Sequence, residues 1–399
     1  MRLLLNDYGG YPFPIELSRE LASRGHEVLH TYCGSLATTP GGEHQKRSCD
    51  PDKLEISSIL LKESLDKYSF VKRWRQEREY GRRLLEQLKA FNPEVVISAN
   101  TPLDAQIPLQ VHCRVSNVPF AFWLQDILSV ATEKILRQKI PVIGKWVGRY
   151  YLSQEKAALQ KSDWVIAITR GFLPLLDQWG VESSKVSVIE NWAPIHELPI
   201  KPRENPWAKS VGLDAYKCFI YTGTMGMKHN PQLLLDLAKA MEDRCEVRVV
   251  VISQGKGADW LKQEIERHNL GNLLVFDYGP FEQVPDVMGT ALGLIAILEE
   301  DASTYSVPSK VLAYLCARRP LLLSVPKENL AAQIVSEAEA GFVVAANDSE
   351  GLIQAATALL DDEAKCIKMG IRARQYAEAH FDIAKIADQF ERRLSRMLG

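Results

Sequence analysis

The chain has 399 residues, 46% hydrophobic and 25% charged, with 24 glycines and 20 prolines, proportions that exclude a disordered, collagenous or mucin-like protein. A formal net charge of -2 gives no overall field suited to nucleic acid. The seven cysteines, odd in number and never in a CxxC pair, argue against a disulfide framework and a zinc site and fit a reducing cytosol.

So long a chain outgrows one hydrophobic core, and two domains are expected. MRLLLNDYGGYPF opens on an apolar run that stops at Asp7, too short for a signal peptide or anchor; no later run approaches the ~20 residues that span a bilayer. The run at Leu3 reads as a strand. Asn6-Asp7-Tyr8-Gly9-Gly10 then turns into the helical pattern PIELSRELASRG, where Leu17 and Leu21 share a face and Gly25 can cap the C-terminus. Adjacent glycines let backbone approach a ligand and aim amides at an anion or sugar hydroxyl; a plain strand-to-helix turn explains them equally. Asp50-Pro51-Asp52 has the DxD pattern of some metal-dependent sugar transferases, but it follows no strand and reads as loop.

Further strands are expected at Glu94–Ser98, Phe120–Leu124, Trp164–Ile168 and Val186–Glu190. Their hydrophobicity is continuous rather than alternating, the mark of parallel strands covered on both faces. Gln125-Asp126 follows Phe120–Leu124, so Asp126 places a carboxylate at a strand end and is a catalytic candidate, although Asp is also a common turn residue. Two stretches, Tyr68–Leu85 and Glu133–Lys161, interleave cations with aromatic and aliphatic side chains. They suit an anionic membrane surface and equally suit ordinary amphipathic helices with solvated charges.

The segment between Trp192 and Asp214 contains Pro194, Pro199, Pro202 and Pro206 without periodicity and reads as a linker. Strands resume at Phe219–Gly223, Val247–Ser253, Leu273–Gly279, Leu292–Leu298 and Pro320–Ser324, and the chain closes on the amphipathic IADQFERRLSRML. In YTGTMGMKHNP, Gly223 and Gly226 could open a loop whose amides face phosphate, with Lys228 as a point charge. In Ser306-Val307-Pro308-Ser309-Lys310 a helix begins with a Lys in its first turn, beside the positive end of the dipole, a conflict that an anionic ligand would relieve. No HExxH and no Ser/His/Asp arrangement offers a hydrolase nucleophile. The reading is two doubly wound α/β domains.

The order of parts, a Gly-Gly turn with RGHEV after its helix, IENW at Ile189–Trp192, YTGTMGMKHNPQLLL and VPSKVLAYLCARRPLLL, resembles the retaining glycosyltransferases of family 4 over nearly the whole chain, nearest the exopolysaccharide enzymes of the colanic-acid type. That resemblance implies a GT-B fold, two Rossmann-like doubly wound domains facing a cleft. Residues 1–200 would bind acceptor, with the helix at 380–399 crossing back, and residues 201–379 would bind nucleotide-sugar. It implies Gly9 and Gly10 on the acceptor side near the donor phosphates. Gly223, Thr224, Gly226, Tyr305, Pro308 and Ser309 would line the donor site, and Lys228, Lys310 and Asp126 would be the catalytic set. Many members carry two Glu seven residues apart, where this chain has Tyr305 and Ala313, with Glu299, Glu300 and Asp301 just upstream.

The expected activity is a retaining, metal-independent hexosyl transfer from a nucleoside-diphosphate sugar to a polysaccharide or lipid-linked saccharide, without a cofactor. The partners would be the donor, the acceptor and an anionic membrane surface, not nucleic acid. The expected location is the cytoplasm, including the inner face of the plasma membrane. A sugar-nucleotide 2-epimerase and a non-catalytic nucleotide-sugar-binding partner remain open on the residues alone.

Overall fold

The structure, a computed structural model, describes residues 1–36, 44–63, 70–127, 129–130, 141–226, 229–298 and 309–399, with the side chains of Phe70 and residues 141–143 excepted. The chain divides into two compact units, Met1–Asn191 with Ile383–Gly399, and Trp192–Asp382. The division falls at Asn191 rather than at residue 200, and at Asp382 rather than at 379.

In the first unit the elements run β1 (Arg2–Asp7), α1 (Pro12–Ser23), β2 (Glu27–Cys33), β3 (Leu54–Ile59), α2 (Phe70–Phe91), β4 (Val95–Ala99), α3 (Leu103–Val115), β5 (Phe120–Leu124), α4 (Pro141–Lys161), β6 (Trp164–Ala167), α5 (Leu173–Gln178) and β7 (Val186–Val188). The strands form a parallel sheet in the order β3-β2-β1-β4-β5-β6-β7. In register, Leu4 pairs with Leu29 on one side and Val96 on the other. Every residue of β4, β5 and β6 is buried, as continuous apolar runs require of a doubly covered sheet. Gly25, at φ +95°, ends α1: its amide donates to Ala22 O and that of His26 to Leu21 O, a Schellman closure.

The second unit contains α6 (Pro206–Ser210), β8 (Lys217–Thr222), α7 (Gln232–Ala240), β9 (Val247–Ile252), α8 (Lys256–His268), β10 (Leu273–Phe276), α9 (Val284–Thr290), β11 (Ala291–Ile297), α10 (Ser309–Cys316), β12 (Leu321–Ser324), α11 (Leu330–Glu337), β13 (Gly341–Val344), α12 (Ser349–Asp361) and α13 (Glu363–His380). Its parallel sheet has the order β10-β9-β8-β11-β12-β13. The last helix, α14 (Ile383–Leu398), belongs to the first unit, where Phe390 packs against Trp123 and Trp164 at ring distances of 5.2 and 5.4 Å.

The expected linker is instead packed structure. Trp192, Ile195 and Leu198 are buried, and Pro206 starts α6 behind Asn205, whose side chain accepts from the Ala208 amide and donates to Asp286 O and Thr290 Oγ1. Proline at a first helical position loses no hydrogen bond, so a proline-rich composition did not mean a free tether.

Both sheets reverse direction beside their first strand, between β1 and β4 and between β8 and β11. At such a switch point the loops diverge and leave a crevice at the strands' C-terminal ends.

Candidate functional site

In the second unit the switch-point loops are Thr222–Gly226 after β8 and the start of α10. Tyr314, one turn along α10 from Lys310, fixes them together: its hydroxyl accepts from the Thr222 amide at 2.9 Å and lies 3.0 Å from Thr222 Oγ1. Lys310 is thereby held over Gly223. Gly223 has φ +107°, and a Cβ there would lie 3.0 Å from Lys310 Nζ. The ammonium also sits 3.8 Å from the Tyr221 ring centroid, a cation–π contact. Among the described residues no carboxylate pairs with it, and burial pushes its pKa down to about 7. A cation held with neutral company at a strand's C-terminal end and a helix start is equipped for an anion.

Beside it lies a cavity of about 390 Å³ lined by Thr222, Gly223, Trp207, Phe276, Tyr278 and Val287 among others. Trp207 and Phe276 meet edge to face at 6.2 Å, so one wall is aromatic. Tyr278 donates to Thr224 Oγ1 at 3.1 Å, which leaves the threonine proton for a ligand.

In the first unit Asp7, at the end of β1, is fully buried. Burial pushes its carboxyl up to about 7, against hydrogen bonds from Asn100 and the backbone of Tyr11 and Gly9. Asn100 Nδ2 donates at 2.8 Å, the Tyr11 amide at 2.5 Å and the Gly9 amide at 3.3 Å. The adjoining cavity, about 220 Å³, is lined by Gly9, Tyr11, Asn100, Gln125 and Asp126 among others. Gln125 and Asn191 exchange amide hydrogen bonds at 2.6 and 3.2 Å, tying the ends of β5 and β7.

The structure places the residues expected from the sequence as follows. The amides of Gly9 and Gly10 donate within their own loop, the first to the Asp7 side chain and the second to its carbonyl. The amides of Gly223 and Gly226 are likewise engaged, by Ile252 O and His229 Nδ1. Asp126 is exposed at the mouth of the smaller cavity, Ser309 is the first, exposed residue of α10, and Ala313 lies half-buried one turn from Lys310. Lys228, Tyr305 and Pro308 lie outside the described residues, as do Glu299, Glu300 and Asp301. Asp50 accepts from Arg19 Nε at 2.8 Å and the Arg47 amide at 2.9 Å, so it serves its loop. Asp7, Asn100, Tyr221 and Tyr314 were not singled out for roles; Asp7 and Asn100, at the ends of β1 and β4, carried the strand-end signal that could have found them.

Residues 15–192 match the family described as glycosyl transferase 4-like domain, and residues 205–376 that described as glycosyl transferases group 1. No curated protein matches the sequence. Among solved structures, the chain is similar to Anabaena HepE in complex with UDP, with TM-score 0.70 and 15% identity over 99% of this chain and 100% of that one. It is also similar to sucrose-phosphate synthase from Thermosynechococcus elongatus, with TM-score 0.75 and 16% identity over 100% and 99%. A third is WaaG, a glycosyltransferase involved in lipopolysaccharide biosynthesis, with TM-score 0.67 and 15% identity over 97% and 98%. Two parallel-sheet units with the GT-B architecture, the first a glycosyl transferase 4-like domain and the second a group 1 domain, make this chain a glycosyltransferase of the GT-B type.

Proposed function

We propose that the protein takes a nucleoside-diphosphate sugar into the Trp192–Asp382 unit and passes the sugar, with retention of configuration, to a polysaccharide or lipid-linked saccharide held by the Met1–Asn191 unit. The observation that carries this reading is Lys310, an ammonium with no described carboxylate partner beside Gly223. The diphosphate would face Lys310 and the Thr224 hydroxyl, and the base would enter the 390 Å³ cavity with its aromatic wall. UDP in the Anabaena HepE structure supports trying a uridine donor first. As the bond from the anomeric carbon to the diphosphate oxygen breaks, charge grows on that oxygen, and the fixed ammonium stabilises it without reorganisation. The acceptor oxygen bonds to the same face of the sugar, and its proton leaves with the diphosphate. No cofactor is required by this chemistry.

UDP-glucose is the probe. At one hundred times its dissociation constant a ligand adds about 2.7 kcal/mol of stability, so a raised melting temperature together with slow release of glucose to water is expected. No shift with UDP, UDP-glucose or other nucleoside diphosphates would end the reading; binding without any hydrolysis or transfer would favour a non-catalytic partner.

Metal independence is part of the proposal, because Lys310 is assigned the charge that a divalent ion would otherwise neutralise. Among the described residues no group of three or more His, Cys, Asp and Glu side chains could hold a metal. Transfer in EDTA is expected at the rate seen without it, and a strict need for manganese or magnesium would remove that assignment.

A membrane-bound acceptor would also bring the enzyme to a bilayer. No described helix is long and apolar enough to cross one. On α4, Lys145, Trp146, Arg149 and Tyr150 are exposed on successive turns, with Trp146 71% and Tyr150 58% accessible, a pattern that supports contact with anionic headgroups. Sedimentation with anionic but not neutral vesicles is expected, weakened by salt and by Lys145→Glu with Arg149→Glu. Equal recovery in the supernatant with anionic vesicles at low salt would leave the acceptor soluble.

A further inference from the structure

We propose that a groove along α2 and α3 binds an extended, negatively charged saccharide and leads its end toward Asn100. The proposal rests on the assignment of the acceptor to the first unit. The groove has a volume of about 890 Å³ and is walled by α2, by Lys62 and Glu63 beyond β3, and by Asp104 and Pro108 of α3. Gly81 lets the two helices close beneath it: a Cβ there would lie 2.9 Å from Ala105 Cα.

The groove's face of α2 is set by sequence spacing. Trp74, Arg78, Arg82 and Leu85 recur every three or four residues, and Arg75 flanks them. Among the described residues no carboxylate pairs with Arg75, Arg78 or Arg82. The acids of the groove are already engaged: Glu63 by Lys72 at 2.9 Å, Glu79 by Arg83 at 2.8 Å, and Asp104 by the Tyr151 hydroxyl at 2.6 Å. Three exposed guanidinia are therefore left without a counter-ion among the described residues. The Arg78 guanidinium lies 4.8 Å from the Trp74 ring centroid, giving a flat surface of aromatic ring and cation. A sugar ring lays its C–H face on such a surface while its carboxylate or phosphate forms paired hydrogen bonds with a guanidinium. The engaged carboxylates keep lone pairs for sugar hydroxyls.

Shape separates a saccharide from a bilayer. The site is a concave groove between α2 and α3 that a single extended chain can enter and a flat bilayer face cannot. Position adds the route. Asp104 and Lys72 line the groove, and their chain neighbours Leu103 and Arg73 line the smaller cavity with Asn100 and Gly9. A chain lying in the groove thus ends at the C-terminal edge of β1 and β4, where a hydroxyl would be presented.

The full-length protein is titrated with a galacturonic acid hexamer, with maltohexaose as the neutral control and with phosphatidylglycerol vesicles. Tighter binding of the hexamer than of maltohexaose is expected, weakened by salt. On the order of tenfold or more of that affinity should be lost in Arg75→Ala with Arg78→Ala and in Trp74→Ala, with the melting temperature and UDP-glucose affinity unchanged. Equal affinity for the two saccharides, or wild-type affinity for the hexamer in the double variant, overturns the proposal. Arginine-dependent binding of vesicles without binding of the hexamer overturns it in favour of a membrane contact. A wild-type protein that binds the hexamer but no nucleotide sugar would sink the transferase mechanism and leave the groove standing.

Discussion

Replacing Lys310 by alanine should lower kcat/KM for sugar transfer by roughly 10²–10³-fold, the cost of removing one fixed group that stabilises developing charge. Lys310 is half-buried over the Tyr221 ring, so its cationic form depends on what binds it as well as on water. Burial holds the free ammonium at about 7, below the ordinary lysine value. A diphosphate beside it moves that value up again. Between about pH 7 and the pKa of the complex, binding must therefore take up a proton, and affinity falls as pH rises, by up to tenfold per unit. Calorimetry of UDP-glucose binding in buffers of different ionisation enthalpy reads that proton directly. The Lys310→Ala variant should bind weakly and without the pH slope. A variant with unaltered turnover, or a wild type whose affinity is flat from pH 7 to 9, would show that the diphosphate lies elsewhere.

The second large effect is on folding. Phe390→Ala removes a fully buried ring from between Trp123 and Trp164 and should destabilise the first unit by about 3–5 kcal/mol, the usual cost of such a cavity. That is a large share of a domain's ~5–15 kcal/mol. Denaturant titration followed by tryptophan fluorescence should show the transition of that unit moved to lower denaturant, with UDP-glucose binding kept below it. A change under about 1 kcal/mol would mean that α14 adds little to the unit it packs on.

The sequence by itself determined the class of fold. A parallel strand buried on both faces leaves a continuous apolar run, so β1, β4 to β6 and β8 to β12 were legible as runs such as FAFWL and VRVVVIS, and the half-buried edge strand β7 was legible from VSVIE. The three strands not anticipated carry weaker runs. β3 and β13 are sheet edges with exposed or half-buried positions, and β2 carries His30 and Thr31, which face Ser18 and Asn6 as hydrogen-bond partners. Gly25 was readable because helix termination is a local matter of φ. Lys310 was readable because a cation in a helix's first turn breaks a local electrostatic rule.

What surrounds these residues was decided only in three dimensions. The contact that places Lys310 runs from Thr222 to Tyr314, ninety-two residues apart in the chain. Asp7 takes its hydrogen bond from Asn100 across ninety-three. Which acceptor a glycine amide meets within the protein is likewise set by the fold, which brings Asp7 to Gly9, Ile252 to Gly223 and His229 to Gly226. The segment from Trp192 to Asp214 is proline-rich in either state, and only the burial of Trp192, Ile195 and Leu198 makes it part of a core. Periodicity records the faces that an element buries; it holds no record of which distant polar group will meet which, because that pairing is fixed by strand order and helix packing.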